Sequence, residues 1–397
     1  MEEWKEYKAK DFCTSVTDDT HDSPKPKSFG HYLITSKHLK DNRIDYSTAN
    51  LISEEDYQKV IQRSAVEQYD ILFSMIGTIG NVVQVKLEQV DFAVKNMGIF
   101  KMGKEPLKSY WLYYWLKSDF SKEYINQRLA GSTQSYLTLD SLRNYPILYP
   151  GDHLANKIVS ILKSLDDKIE NNRKINENLE QQAQALFKSW FVDFEPFRGQ
   201  PFVESELGMI PEGWRVGTLS EIAEYSKSRI SIKDIDTQTY VSTENMLANK
   251  QGITEASGLP NVENVTRFEK GDVLISNIRP YFKKLNYCNH IGGCSGDVMC
   301  FHPLSKEYRG YLYCSLYDDV FFDYVMSGTK GTKMPRGDKR QIMNYRIFIP
   351  SHSIIDKFNR FILSLLSMID NNRKESRRLS QLRDTLLPKL MSGEIKL

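Results

Sequence analysis

The sequence predicts an α/β (α+β) tandem duplication: two globular domains, each followed by a long helix, with the two helices packed as an antiparallel coiled coil. Three observations carry this. The chain has 397 residues, more than the one hydrophobic core that a domain of about 100–200 residues builds. The block Asn171-Asn172-Arg173-Lys174 recurs 200 positions later as Asn371-Asn372-Arg373-Lys374. Each copy lies on a heptad stripe that follows a proline, Pro150 or Pro350. The expected parts are 1–150 and 201–350 for the globular domains, with 151–200 and 351–397 for the helical regions.

The repeat extends well beyond that block. At the offset of 200, Asn144-Tyr145 pairs with Asn344-Tyr345, Gly131 with Gly331 and Pro150 with Pro350. Upstream the register drifts, as insertions cause. Asp70-Ile71-Leu72-Phe73-Ser74 resembles Asp272-Val273-Leu274-Ile275-Ser276 at 202, and Glu3-Trp4 resembles Gly213-Trp214 at 210. The period is too long for a solenoid, so the chain is a duplication.

Within the globular halves, 70–74, 81–86, 145–149, 272–276 and 345–349 read as strands. The aromatic stretches 110–116 and 308–325 read as amphipathic helices. The segment 204–214, with Gly208, Pro211 and Gly213, reads as the linker opening the second half.

The helical stripes alternate steps of four and three. The first runs through Ile158, Leu162, Leu165, Ile169, Asn172, Asn176, Leu179, Ala183, Leu186 and Trp190, eight of the ten being apolar. Shifted by 200 it becomes Phe358, Ile362, Leu365, Ile369, Asn372, Ser376, Leu379, Arg383, Leu386 and Leu390, seven of them apolar. Each stripe calls for a partner, and the chain supplies two. Antiparallel pairing sets the mid-helix amides Asn172 and Asn372 against each other, where they fix register.

Composition narrows the function. With 53 basic and 51 acidic residues the net charge is +2, which excludes a polybasic protein but not local basic faces. A 40% hydrophobic and 12% aromatic content argues against disorder. No apolar run approaches the roughly 20 residues of a membrane span, and the N-terminus lacks the pattern of a signal peptide, so a cytoplasmic location is expected. Cys288, Cys294, Cys300 and Cys314, with His290 between them, miss the spacing of zinc ligands, and no metal is expected. There is no phosphate-binding loop of the Gly-x-x-x-x-Gly-Lys-Ser/Thr form; Gly328-Thr329-Lys330-Gly331-Thr332-Lys333 has the wrong spacing. No Asp/Asn-Pro-Pro-Tyr/Phe tetrapeptide occurs, and Glu394-Ile395-Lys396 lacks the strand that a nuclease site needs.

Four stretches resemble the specificity subunits of type I restriction–modification systems. Leu186-Phe187-Lys188-Ser189-Trp190-Phe191-Val192-Asp193-Phe194-Glu195-Pro196-Phe197 resembles the family's central conserved region. Leu386-Leu387-Pro388-Lys389-Leu390-Met391-Ser392-Gly393-Glu394-Ile395 resembles its C-terminal ending. Leu207-Gly208-Met209-Ile210-Pro211-Glu212-Gly213-Trp214 resembles the opening of a second recognition domain. Asp18 to Pro26 resembles a stretch of one recognition-domain class, with Asp19 where that class usually has Gly. The resemblance implies a non-catalytic subunit whose two domains each read one half of a bipartite DNA target. Its helices would set the spacing and dock modification subunits, expected to number two. S-adenosylmethionine, ATP and Mg would be bound by the modification and restriction subunits, and none by this chain. Two alternatives stand beside it: a stand-alone or fused DNA methyltransferase or nuclease, and a coiled-coil scaffold that binds no DNA.

Helices from about 154 to 190 rise roughly 55 Å, one to two turns of duplex, which makes them a ruler between two different words. DNA contact calls for basic, hydroxyl and amide side chains on loops. In the first half the candidates are Thr20, His21, Lys25, Lys27, Ser36, Lys37, Thr133, Gln134 and Tyr136; in the second they are Thr243, Arg279, Lys283, Lys330, Lys333, Arg336 and Arg340. The helix-pairing candidates are Leu162, Leu165, Ile169, Asn172 and Leu179 against Ile362, Leu365, Ile369, Asn372 and Leu379. Thr35-Ser36-Lys37 and Ser242-Thr243-Glu244 form a further matching pair, read as a contact turn.

Overall fold

The computed structural model describes residues 4–18, 24–40, 42–129, 136–331, 333–395 and 397. The chain forms two compact units, Met1–Glu170 with Arg377–Leu397, and Asn171–Ser376. Each unit combines a globular half with a share of both long helices, Asp152–Phe191 and His352–Met391.

In the first unit, Lys5–Lys8 pairs antiparallel with Pro146–Tyr149, which closes the ends of the globular half on each other. The main sheet is antiparallel, ordered Ser15–Asp18, Met97–Lys101, Ile71–Ser74, Val82–Gln84. Its inner strand Ile71–Ser74 is buried at every position, as a continuous apolar run predicts. A smaller sheet, Asn50–Ile52, His31–Thr35, Ala93–Lys95, contains a parallel pair, His31–Thr35 with Ala93–Lys95.

The second unit repeats this plan. Arg215–Thr218 pairs with Arg346–Ile349, and the main sheet runs Ala223–Tyr225, Val298–Pro303, Val273–Ser276, Leu285–Tyr287. Its smaller sheet likewise carries one parallel pair, Tyr240–Val241 with Gly292–Cys294. The sheets are mainly antiparallel and the helices segregated, so α+β describes each half best. Lys5 opposite Tyr149 corresponds to Arg215 opposite Ile349, which reproduces the sequence offsets of 210 and 200 as strand register.

The duplication reaches the polar core. Asp70 and Asp272 are both fully buried and accept the backbone N–H groups of Glu67 and Glu269, at 2.8 and 2.7 Å. Their second partners differ: Lys101 Nζ at 2.5 Å for Asp70, His302 Nδ1 at 2.7 Å for Asp272. Burial pushes the Asp70 carboxyl above the usual carboxylate range, with Lys101 acting against that.

Three local expectations are corrected. The helix Pro106–Leu116 is not amphipathic, since Trp111 to Leu116 are all buried and fill the core instead of facing water on one side. The stretch 308–325 is broken into Arg309–Tyr317 and Asp319–Ser327 where the Asp318 carboxylate caps the second helix by accepting from Val320 N–H. The segment 204–214 is more than a linker, because Phe202–Ser205 and Gly208–Pro211 pair as a hairpin.

The long helices run antiparallel in each unit. In the first, Ile158, Val159 and Leu162 share a core with Leu387, Leu390 and Met391. In the second, Leu179, Ala183, Phe187 and Phe191 share one with Ile355, Phe358, Ile362, Leu366 and Ile369. Leu165, Ile169, Leu365 and Leu379 are only half-buried. Leu366 takes the core position expected of Leu365, and Phe187 that of Leu186. A straight helix of 3.6 residues per turn drifts off a strict heptad, and each helix end packs on the globular half of its own unit as well as on its partner.

The amide pairing also differs from a simple Asn172–Asn372 rung. Asn172 Nδ2 donates to Glu375 Oε2 at 2.8 Å and reaches only the backbone carbonyl of Asn372, at 3.5 Å. Asn372 Nδ2 instead donates to Asn176 Oδ1 at 2.8 Å, one turn further along. The pairing is staggered because the antiparallel register sets Asn372 between the two asparagines of the first helix.

Each unit also carries an ionic rung between the two helices. In the first unit Arg383 Nη1 lies 2.6 Å from Asp166, which also accepts from the Tyr114 hydroxyl at 2.9 Å. In the second, Arg373 lies 3.0 Å from Glu180, which accepts from the Tyr317 hydroxyl. Beside the first rung, burial, and after it the Arg383 charge, push the Lys117 ammonium down to about 8. The unfolded chain keeps the ordinary lysine value of 10.5, so between those values it binds the extra proton and stability rises with pH. Wild type should therefore gain stability relative to Lys117→Met between pH 8 and 10. Urea denaturation of both proteins at pH 7.5 and 9.5 checks this, and a pH-independent difference would contradict it.

Candidate nucleic-acid interface

In each half, the inner strand of the main sheet leads into a loop that is bridged to the segment preceding a short helix. In the second half, Val273–Ser276 leads into Asn277 to Lys284. Ile278 bridges Arg336, and Arg336 bridges Lys330 through two backbone hydrogen bonds of 3.0 Å. Arg279 N–H donates to the Pro335 carbonyl at 2.8 Å, and Gly337 N–H to that of Asn277. Arg279 and Lys283 both adopt left-handed backbone, with φ 49°, on either side of the turn Pro280–Phe282. That turn presents an exposed aromatic pair, Tyr281 and Phe282, with ring centroids 4.7 Å apart.

The charges on this rim are held in different ways. Arg336 Nη2 lies 3.1 Å from Asp297, both side chains being about half exposed. Lys330 pairs at 2.7 Å with Asp338, which caps the helix Lys339–Met343; the Lys330 ammonium and the capped N–H groups hold that carboxyl down to about 2. Lys333 and Arg340 are exposed. Lys283 is tied at 3.0 Å to Asp319, which Lys250 also approaches. Lys284 Nζ donates to the Thr243 carbonyl at 2.6 Å, and burial lowers its pKa. Beside the rim lies an open cleft of about 550 Å³ lined by Ser242, Thr243, Glu244, Asn245, Ser295 and Asp297 among others.

The first half has the same arrangement with other residues. Ile71–Ser74 leads into a loop in which Ile76 bridges Tyr136, an exposed tyrosine at the position that Arg336 holds in the repeat. Leu137 N–H donates to the Met75 carbonyl at 3.0 Å. Gly77, with φ 79°, passes Ser36 closely enough that an added Cβ would sit 4.0 Å from its hydroxyl. Asn81 Nδ2 donates to the Leu39 carbonyl at 2.9 Å, fastening the loop to the turn that carries Ser36 and Lys37.

That turn is built alike in both halves. Thr35 N–H donates to His38 Nδ1 at 2.8 Å, and Ser242 N–H to Asn245 Oδ1 at 2.7 Å. Each turn follows the strand that pairs in parallel.

The structure thus brings Thr243, Arg279, Lys283, Lys330 and Arg336 onto one rim, with Lys333 on the same bridged segment and Arg340 in the helix that follows it. In the first half it brings Ser36, Lys37 and Tyr136 to the equivalent rim. Lys25 and Lys27 are exposed on another segment, bridged through Lys27 to Leu51 on the outer side of strand Asn50–Ile52. Thr20, His21, Thr133 and Gln134 lie outside the described residues.

The chain is 30% identical over 314 residues to the specificity subunit of the type I restriction enzyme MjaIX from Methanocaldococcus jannaschii, spanning 74% of this chain and 70% of that one. The chain belongs to the family of type I restriction enzyme specificity subunits. The family's "Type I restriction modification DNA specificity domain" matches residues 1–181. Over the full length of both proteins, the subunit is 24% identical to the HindI specificity subunit of Haemophilus influenzae. The solved structure of the type I S subunit from M. genitalium shares its fold, with a TM-score of 0.53 at 17% identity over 98% of this chain and 96% of that one.

Sequence reading of the subunit missed Asp297, Asn81 and the aromatic pair Tyr281–Phe282. Asn81 was within reach, since it closes the loop that follows the repeated inner strand. Asp297 carried no such signal, because its partner Arg336 is distant in sequence. Among the described residues no group of three His, Cys, Asp or Glu side chains is arranged to hold a metal ion, and no helix is long and apolar enough to cross a membrane.

Proposed function

We propose that this chain is the DNA-reading, non-catalytic subunit of a type I restriction–modification complex. Each half reads one short word of double-stranded DNA through its bridged rim, and the paired helices set the unread spacer and dock modification subunits. Methyl transfer with S-adenosylmethionine, and ATP- and Mg-dependent translocation and cleavage, belong to the modification and restriction subunits. The observation that carries this reading is the repeated rim: two loops joined by the same bridge, Ile76 to Tyr136 and Ile278 to Arg336, in two copies with different side chains. One fold used twice with different loops suits a target of two different words. The DNA-facing residues on this reading are Ser36, Lys37 and Tyr136 in the first half, and Thr243, Arg279, Lys330, Lys333, Arg336 and Arg340 in the second.

Binding of duplex DNA by the chain together with its modification subunits, measured across a salt series, tests this. Each phosphate contact contributes a slope of about −0.9 to log K against log salt. About six contacts therefore give roughly a thousandfold weakening between 50 and 200 mM salt. Binding that is absent, or indifferent to salt, would contradict the reading.

A further inference from the structure

The rim of the second half mixes cations of two kinds. Lys333 is an exposed ammonium group on the bridged segment, suited to phosphate as a point charge, whereas the exposed Lys330 ammonium is already paired at 2.7 Å with Asp338. Arg336 differs. Its backbone is fixed on both sides, by the bridges to Lys330 and to Ile278, and its guanidinium is held 3.1 Å from the Asp297 carboxylate at the edge of the cleft. Asp297 is itself anchored, since its carbonyl accepts from Asn277 N–H at 2.8 Å at the root of the same loop.

A carboxylate paired with an arginine largely cancels its charge and repels a phosphate brought to the same place. A base edge carries no full charge and is repelled far less. Guanine offers O6 and N7 as a pair of acceptors that a fixed guanidinium meets in bidentate fashion, and cytosine offers an amino donor that suits a carboxylate. Glu244 adds a second carboxylate to the same cleft.

We propose that Arg336 reads a guanine, in a G·C pair, within the word recognised by the second half, and that Asp297 is the positioning residue that holds it edge-on. This rests on the DNA-reading function above and deepens it to one base and one side chain. In the first half Tyr136 occupies the equivalent bridge, so the corresponding position there is read without a guanidinium.

The test uses the full chain in complex with its modification subunits, acting on a library of duplexes whose methylated sites are sequenced. For Arg336→Ala, the preference for guanine at one position of the second word falls on the order of 10- to 100-fold, while the first word is unchanged and serves as the control for folding. For Asp297→Asn, guanine preference falls several-fold while affinity for unrelated duplex rises, because a negative charge has left the rim; loss of mere structural support would lower both. A uniform loss of affinity for every sequence in Arg336→Ala, with a smaller salt slope, would mark Arg336 as a phosphate contact and overturn the inference. An unchanged second word would overturn it as well. If the wild-type complex methylates no bipartite site, the underlying DNA reading fails and the inference with it.

Discussion

Insertion of one heptad after Glu170 and another after Ser376 is expected to lengthen the spacer between the two recognised words by about three base pairs, leaving both words unchanged. Seven residues of helix rise about 10 Å, which corresponds to roughly three steps of 3.4 Å along duplex DNA. Seven is also the number that returns the apolar seam to the same face, so the inserted turns continue the pairing. These two positions are where the compact units divide, and the residues around them pair through amides and ions more than through core apolar groups. Methylation at the original spacing is expected to disappear, because a displacement of that size is far larger than loops on a fixed rim absorb. Sequencing the methylated sites of the altered complex checks this. An unchanged spacer, or altered words at the old spacing, would show that the helices do not set the distance.

The second large effect concerns the rung at Arg383. Its side chain and that of Asp166 are 13% and 15% exposed, so this is an internal ion pair, not a surface one. Burial works against the guanidinium's charge, but the Asp166 and Asp384 carboxylates outweigh that and raise its pKa. Arg383→Leu leaves Asp166 in place with the Tyr114 hydroxyl as its remaining donor. Breaking a buried pair on one side costs about 3–5 kcal/mol, most of it the penalty of an uncompensated charge. The double variant Arg383→Leu with Asp166→Leu should recover most of that loss, since apolar replacement of a whole buried pair is often neutral. Urea unfolding of the three proteins measures both quantities. A single variant within about 0.5 kcal/mol of wild type would mean that the rung is solvated.

The parts of the fold most legible in the sequence are those set by local pattern. Inner strands such as Ile71–Ser74 and Val273–Ser276 announce themselves as short apolar runs, and the repeat marks them as equivalent. The long helices are equally plain from their stripes, because 40 residues without an interior proline, save Pro388 near the end of the second, have few other ways to fold. Finer packing is less legible. A heptad count places Leu365 in the core, whereas Leu366 is there, since period and drift differ by a fraction of a turn that only the neighbouring domain decides. Arg383 interrupts the apolar stripe, and its role emerges only when Asp166 is seen beside it.

The rim divides along the same line. The glycine-rich basic segment containing Lys330, Lys333 and Arg336 is visible as composition. The matching turns are visible because Thr35-Ser36-Lys37 and Ser242-Thr243-Glu244 fall at matching places in the two halves, whereas the side chains that cap them, His38 and Asn245, differ in type and emerge only in the structure. Asp297 is not visible, because nothing in the residues around it marks it as the partner of Arg336. Lys283 looked like a free contact residue, yet it is held by Asp319 across the fold. Charge alone does not distinguish a lysine offered to a ligand from one already engaged.

The central claim is that one duplicated chain directs methylation to two different words separated by a fixed gap. Co-expression with its modification subunits, followed by sequencing of the methylated bases across a genome, tests it most directly. The expected result is a single bipartite motif with two unlike words and a constant unread spacer, lost when this chain is omitted. Methylation at one continuous word, or a pattern that persists without this chain, would contradict the account.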